Sequence, residues 1–103
     1  MKTKEDRMAE RGARFLDRRI PHWRKLVVRA DFNIGDGEFC ILGHVFGRAS
    51  TDTLTAPLYG YARGLRALGL TERAAETLGF QPDGDEDGLQ RAWRRLLRRR
   101  RRG

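Results

Sequence analysis

Apolar residues recur at helical spacing along most of this chain. Over residues 1 to about 20, Met8, Gly12, Phe15, Leu16 and Ile20 fall at i, i+4, i+7, i+8 and i+12, one face of a 3.6-residue period. Glu10 and Arg14 then form an i, i+4 pair on the exposed side. Pro21 ends this helix, because the residue before a proline is pushed out of the α region. It also suits the first position of a short second helix carrying Trp23, Leu26 and Val27 inward. From Pro57, Leu58, Tyr61, Ala62, Leu65 and Leu68 line one face of a helix that Gly69 stops. Thr71 caps a two-turn helix over 72–78, which Gly79 ends, and Phe80 is placed to fold back on its last turn. The last helix sets Leu89, Ala92, Trp93, Leu96 and Leu97 against Arg91, Arg94, Arg95, Arg98 and Arg99.

Two regions break this regularity. The run 39–46 (Phe39, Cys40, Ile41, Leu42, Gly43, His44, Val45, Phe46) is the most apolar of the chain and is expected at its centre. Before it, Leu26, Val28, Ala30, Phe32 and Ile34 alternate with Val27, Arg29, Asp31 and Asn33, which is a strand period. A hairpin over 26–46 would turn at Gly35, Asp36 and Gly37. An isolated two-stranded ribbon is marginal, and no later segment alternates. The expectation is therefore a mainly α domain of four to five short helices around the central apolar segment. The alternative is an α+β fold with a hairpin over 26–46. Residues 47–57 read as a loop rich in turn formers.

Charge changes the picture at one end only. The 103 residues hold 22 Lys plus Arg and 14 Asp plus Glu, for a net charge of +8. Eight of the arginines follow Gln90 and no acid does, so residues 1–90 hold 14 residues of each sign. This divides the chain into a globular domain over 1–97 and a basic arginine-rich tail over 98–103. No apolar run reaches membrane-spanning length, the N-terminal charges lead into no signal-peptide apolar region, and a single cysteine forms no internal disulfide. A cytoplasmic protein is expected.

Chemistry is sparse. Cys40 and His44 stand four residues apart and His22 lies far off in sequence, so a zinc site lacks a third ligand. Asp83, Asp85 and Asp87 alternate like calcium ligands, but the twelfth position after Asp83 is Arg94, which repels a cation. No metal or cofactor is expected. No activated nucleophile, phosphate-binding glycine loop or tuned carboxylate pair stands out, which argues against an enzyme. Residues 71–80 resemble the first helix of a helix-turn-helix, but a long acidic loop replaces the short turn. The arginine row Arg91, Arg94, Arg95, Arg98, Arg99, Arg100, Arg101 and Arg102 is the stronger feature. It suits nonspecific phosphate contacts, with no Asn or Gln row to read bases. Trp23, Tyr59 and Arg63 are side-chain types favoured at protein interfaces. A rival reading is a module that binds and modulates a host protein, its tail serving solubility or an acidic partner.

One wider pattern joins these segments: Ile20-Pro21-x-Trp23, Cys40-x-Leu42-Gly43-x-x-Phe46-Gly47, Tyr59-Gly60-x-x-x-Gly64-Leu65-x-x-Leu68-Gly69-Leu70, Leu78-Gly79-Phe80 and Ala92-Trp93. It resembles a group of small proteins of actinobacteria and their phages, over about residues 15–97. The 19 arginines against 3 lysines fit the GC-rich genomes of such organisms. The resemblance implies a small accessory protein of a phage or prophage, one that binds host machinery, and carries over no functional residue. The arginine tail lies outside it.

Overall fold

Helix α1 (Lys4–Arg19) starts where the chain first offers a cap. The Thr3 hydroxyl accepts the Asp6 backbone N–H at 3.0 Å, and the Asp6 carboxylate accepts the Thr3 N–H in return. The helix stops at Ile20, ahead of Pro21, as expected. The computed structural model describes residues 2–36, 40–46 and 60–99. Further along the chain lie α2 (Trp23–Leu26), a 3₁₀ turn (Arg29–Asp31), α3 (Ile41–Phe46), α4 (Gly60–Leu68), α5 (Glu72–Thr77) and α6 (Glu86–Arg99). The described residues form a mainly helical single domain without a strand. The expected loop over 47–57, Phe39, Tyr59 and Arg100 to Arg102 lie outside the described residues.

The amphipathic faces dictate the packing. From α1, Met8, Ala9, Gly12, Ala13 and Leu16 are buried, and from α6 all five predicted apolar residues are. These two helices pack on one another, and α5 closes on α1. Trp23 and Trp93 meet edge to face with centroids 6.1 Å apart, and Phe80 stacks on Trp93 at 6.2 Å. Each such pair adds about 0.5–1.5 kcal/mol beyond its buried area. The Trp93 indole N–H donates to the Gly79 carbonyl at 2.6 Å. The Trp23 indole donates to Asp17, which also holds Arg24, and so fixes the corner between α1 and α2. On the other side α3 packs on α4. Cys40, Ile41 and Leu42 are fully buried there, and Gly64 lets the two helices approach.

Several sequence expectations need correction. The alternation expected from residue 26 holds in burial only over Asp31 to Ile34, where Phe32 and Ile34 face the core and Asp31 and Asn33 face out; Leu26, Val28 and Ala30 are exposed and Val27 is buried. Among the described residues no partner strand pairs with this segment. Instead, Gln90 of α6 accepts the Ile34 N–H at 2.6 Å and donates to the Phe32 carbonyl at 2.8 Å. Arg94 donates to the same carbonyl at 3.2 Å. Leu26 faces solvent rather than the core, because α2 lasts one turn and only Trp23 and the following Val27 reach inward. Glu10 pairs with Arg14 at 3.8 Å as expected, but it is buried rather than exposed and its closer partner is Lys2 at 2.8 Å. Arg98 and Arg99 form the end of α6, as their place on its polar face predicts. Arginine is a good helix former and a cation is favoured at a helix C-terminus.

Helix α5 ends in a Schellman turn, with Phe80 N–H on the Ala75 carbonyl and Gly79 N–H on the Glu76 carbonyl. Helix α4 ends in the same way at Gly69. Gly79 has φ +74° and Gly69 has φ +68°. A Cβ on Gly79 would lie 2.8 Å from the Met8 backbone, whereas one on Gly69 would meet open space. Gly69→Ala is therefore expected to cost only the left-handed strain, about 1–2 kcal/mol. Gly79→Ala adds overpacking, for a total of about 2–5 kcal/mol. Urea denaturation of both variants reads the difference; equal losses would show that the α1–α5 approach is not tight. Gln90→Ala strips the Ile34 N–H and Phe32 carbonyl of a partner and is expected to cost about 1–3 kcal/mol in the same assay.

Candidate nucleic-acid interface

Helix α6 holds its arginines in a fixed frame. Its buried face, from Leu89 through Trp93 to Leu97, leaves one arc for the charged residues. Arg91, Arg94, Arg98 and Arg99 are exposed, and Arg95 is half-buried. The five are not equivalent. Arg95 donates to Asp6 of α1 at 2.8 Å, and Arg94 spends one guanidinium nitrogen on the Phe32 carbonyl. Arg99 lies within electrostatic reach of Glu10. Arg91 and Arg98 point to solvent without a structural task among the described residues.

The acids preceding α6 have a capping role. Asp85 accepts the Gly88 N–H at 2.8 Å and its carbonyl takes the Leu89 N–H. Asp83 lies 3.9 Å from Lys4, a loose exposed pair. The carboxylates that engage the arginines come from α1 instead.

Sequence reasoning missed the outer face of α1. Lys4, Arg7, Arg11, Arg14 and Arg18 recur at alternating steps of three and four and are all exposed. The acids of this helix hid the row in a charge count, yet the fold turns them aside. Asp6 meets Arg95, Glu10 meets Lys2 at 2.8 Å, and Asp17 meets Trp23 and Arg24. The visible signal was the 3–4 spacing of like charges on a segment already read as a helix.

The suggested protein-contact residues fare differently. Trp23 is wholly buried, with its indole N–H bonded to Asp17, so it is a core residue and offers no surface. Arg63 is half-buried on α4. His44 is buried, its Nδ1 3.1 Å from the Cys40 carbonyl oxygen. Among the described residues no three His, Cys, Asp or Glu side chains gather as a metal site requires.

A cleft of about 260 Å³ opens between α4, α6 and the 34–36 turn, with Ile34, Asp36, Cys40, Tyr61, Gln81 and Glu86 on its walls. Burial, with a smaller push from Glu72, raises the Tyr61 phenol to about 12, and it donates its hydrogen to Gln81. Burial also pushes the Cys40 thiol up, so it stays a thiol rather than a nucleophilic thiolate. Among the described residues no helix is long and apolar enough to cross a membrane. No family model, curated protein or solved structure matches the chain.

Asp6 and Glu10 tie this surface to pH. Burial pulls the Asp6 carboxyl upward, but the Arg95 guanidinium and both groups of Thr3 outweigh it and hold it below its ordinary value near 3.8. The Lys2 ammonium, opposed by burial, holds Glu10 below 4.5. A carboxyl depressed in the fold stabilises it above the unfolded value and stops doing so as pH falls through the folded one. Asp6→Asn is thus expected to destabilise the protein by about 1 kcal/mol at neutral pH, as befits a pair whose arginine is open to solvent. The difference from wild type should shrink as pH drops below about 4. Thermal melts at pH 7 and below pH 3 measure it, and a constant difference would contradict the assignment.

Proposed function

We propose that this is a non-enzymatic accessory protein that contacts nucleic acid through the basic face of α6 and the arginines that follow it. The observation that carries this reading is the exposed arginine face of α6, backed by a completely buried apolar face. The helix is held rigidly by Trp93, Leu96 and Leu97, so Arg91 and Arg98 project from a defined surface and not from a mobile chain. Guanidinium groups suit phosphate because they offer paired donors and are weakly hydrated. The contacts would be with the backbone, since no row of Asn or Gln accompanies the arginines.

Binding of this kind releases counterions, and each phosphate contact on a duplex steepens the salt dependence by about 0.9 in log–log slope. Fluorescence anisotropy with labelled nucleic acid, between about 50 and 200 mM salt, reads that slope. The full chain is expected to bind steeply at low salt. Replacing Arg91 and Arg98 by Gln should lower the duplex slope by about 2 without changing the melting curve. Absence of salt-dependent binding by the full chain would overturn the proposal. A salt-insensitive partner recovered in its place would favour an apolar protein interface.

A further inference from the structure

We infer that the nucleic acid held by this protein is a duplex, straddled by two cationic ridges, one on α1 and one on α6, with a recessed carboxylate furrow between them. This rests on the nucleic-acid reading above and names its ligand. The first ridge is Lys4, Arg7, Arg11, Arg14 and Arg18. At 1.5 Å per residue it extends about 21 Å, the axial rise of roughly six base pairs of a duplex at 3.4 Å each. The second ridge is Arg91, Arg94 and Arg98 on the outer arc of α6.

The furrow is what makes the surface two-sided. Asp6 and Glu10 sit one turn apart on α1, on the side that meets α6. Asp6 takes Arg95 at 2.8 Å. Glu10 lies 3.8 Å from Arg14 on the first ridge and feels Arg99 at the end of α6. Both carboxylates are sunk, with side chains only 12% exposed, while Lys4 and Arg14 stand 65% and 62% exposed. A single strand laid along the middle would pass over the acids. It gains most by following the arginines of α6, which Arg100, Arg101 and Arg102 continue in sequence, and leaving the α1 ridge idle. Two strands separated by a groove place a phosphate row on each ridge and leave the furrow over the gap. The recessed acids then cost little, because an ion in the furrow lies farther from either strand than the arginines do.

The test uses the full chain and two variants of exposed residues: Arg7→Gln/Arg11→Gln/Arg18→Gln on α1, and Arg91→Gln/Arg98→Gln on α6. Each is titrated by anisotropy with a duplex and a single strand of equal length, from about 50 to 200 mM salt. The α1 variant is expected to lose about 2.7 of the duplex slope and to weaken duplex binding at least tenfold at the higher salt. Its single-strand affinity should change less than twofold, while the α6 variant weakens both ligands. If the α1 variant does not match the wild-type melting curve, Arg11→Gln alone is read, with an expected slope loss of about 0.9. Unchanged duplex binding by the α1 variant would overturn the straddling geometry and leave the α6 reading standing. Equal weakening on both ligands would also overturn it. Failure of the wild type to bind either ligand would instead remove the nucleic-acid reading itself.

Discussion

The structure depends on how closely the end of α5 can approach α1. Gly79 meets three demands there at once. Its φ of +74° turns the chain out of α5, its missing Cβ lets the Met8 backbone come against it, and its carbonyl takes the Trp93 indole N–H. Gly12 answers from the α1 side, where a Cβ would fall on the Leu78 carbonyl. With this contact closed, Phe80 stacks on Trp93, Trp93 meets Trp23 edge on, and the aromatic centre of the domain is complete. A larger residue at Gly79 would push α1 away and, with it, the carboxylates that hold Arg95. The basic surface is thus positioned by a backbone approach on the far side of the same helix.

What could be read from the sequence followed from periodicity. The apolar face of α6, the stops at Pro21, Gly69 and Gly79, and the return of Phe80 were all legible, because each rests on local rules of helix patterning and termination. The 26–36 segment was not. Its alternation matches burial only from Asp31 to Ile34, because the 3₁₀ turn Arg29–Asp31 interrupts the extended chain and leaves Leu26, Val28 and Ala30 exposed. What decides between strand and extended loop is where the backbone groups go. Here the Asp31 and Phe32 N–H groups close a local 3₁₀ turn, while the Ile34 N–H and Phe32 carbonyl go to Gln90 and Arg94, more than fifty residues away in sequence. Nothing local announces that. The central position expected for 39–46 was right in burial for Cys40, Ile41 and Leu42. The largest rings gather elsewhere, around Trp93, since helix pairing and not apolar run length sets the centre.

The candidate site shows the complementary failure. Counting signs over residues 1–90 gives neutrality, and neutrality suggested that all excess charge lies at the C-terminal end. A count does not say which charges the fold consumes. Asp6 is spent on Arg95, Glu10 on Lys2, Asp17 on Trp23 and Arg24, and Asp85 on the start of α6. The cations of α1 are left on the surface because they fall opposite its buried face, and lysine and arginine heads stay hydrated there at little cost.

This sorting bears on how a small domain can present so many arginines. Like charges along α1 and α6 repel, and more strongly at low salt. Burying five apolar side chains of α6, at roughly 1.5–3 kcal/mol for each large one, outweighs that repulsion between solvated groups. The recessed carboxylates do the finer work. They lie inside the cationic pairs rather than above them, so they relieve repulsion between the two helices while leaving the outward guanidinium edges exposed. Arg95 is fixed by Asp6 and Arg94 by Phe32, so two of the α6 arginines have given up rotamer freedom before any ligand arrives. Ordering already made in folding need not be repeated on binding. The acids that make the sequence look neutral are, in the folded chain, what keeps the basic surface in place.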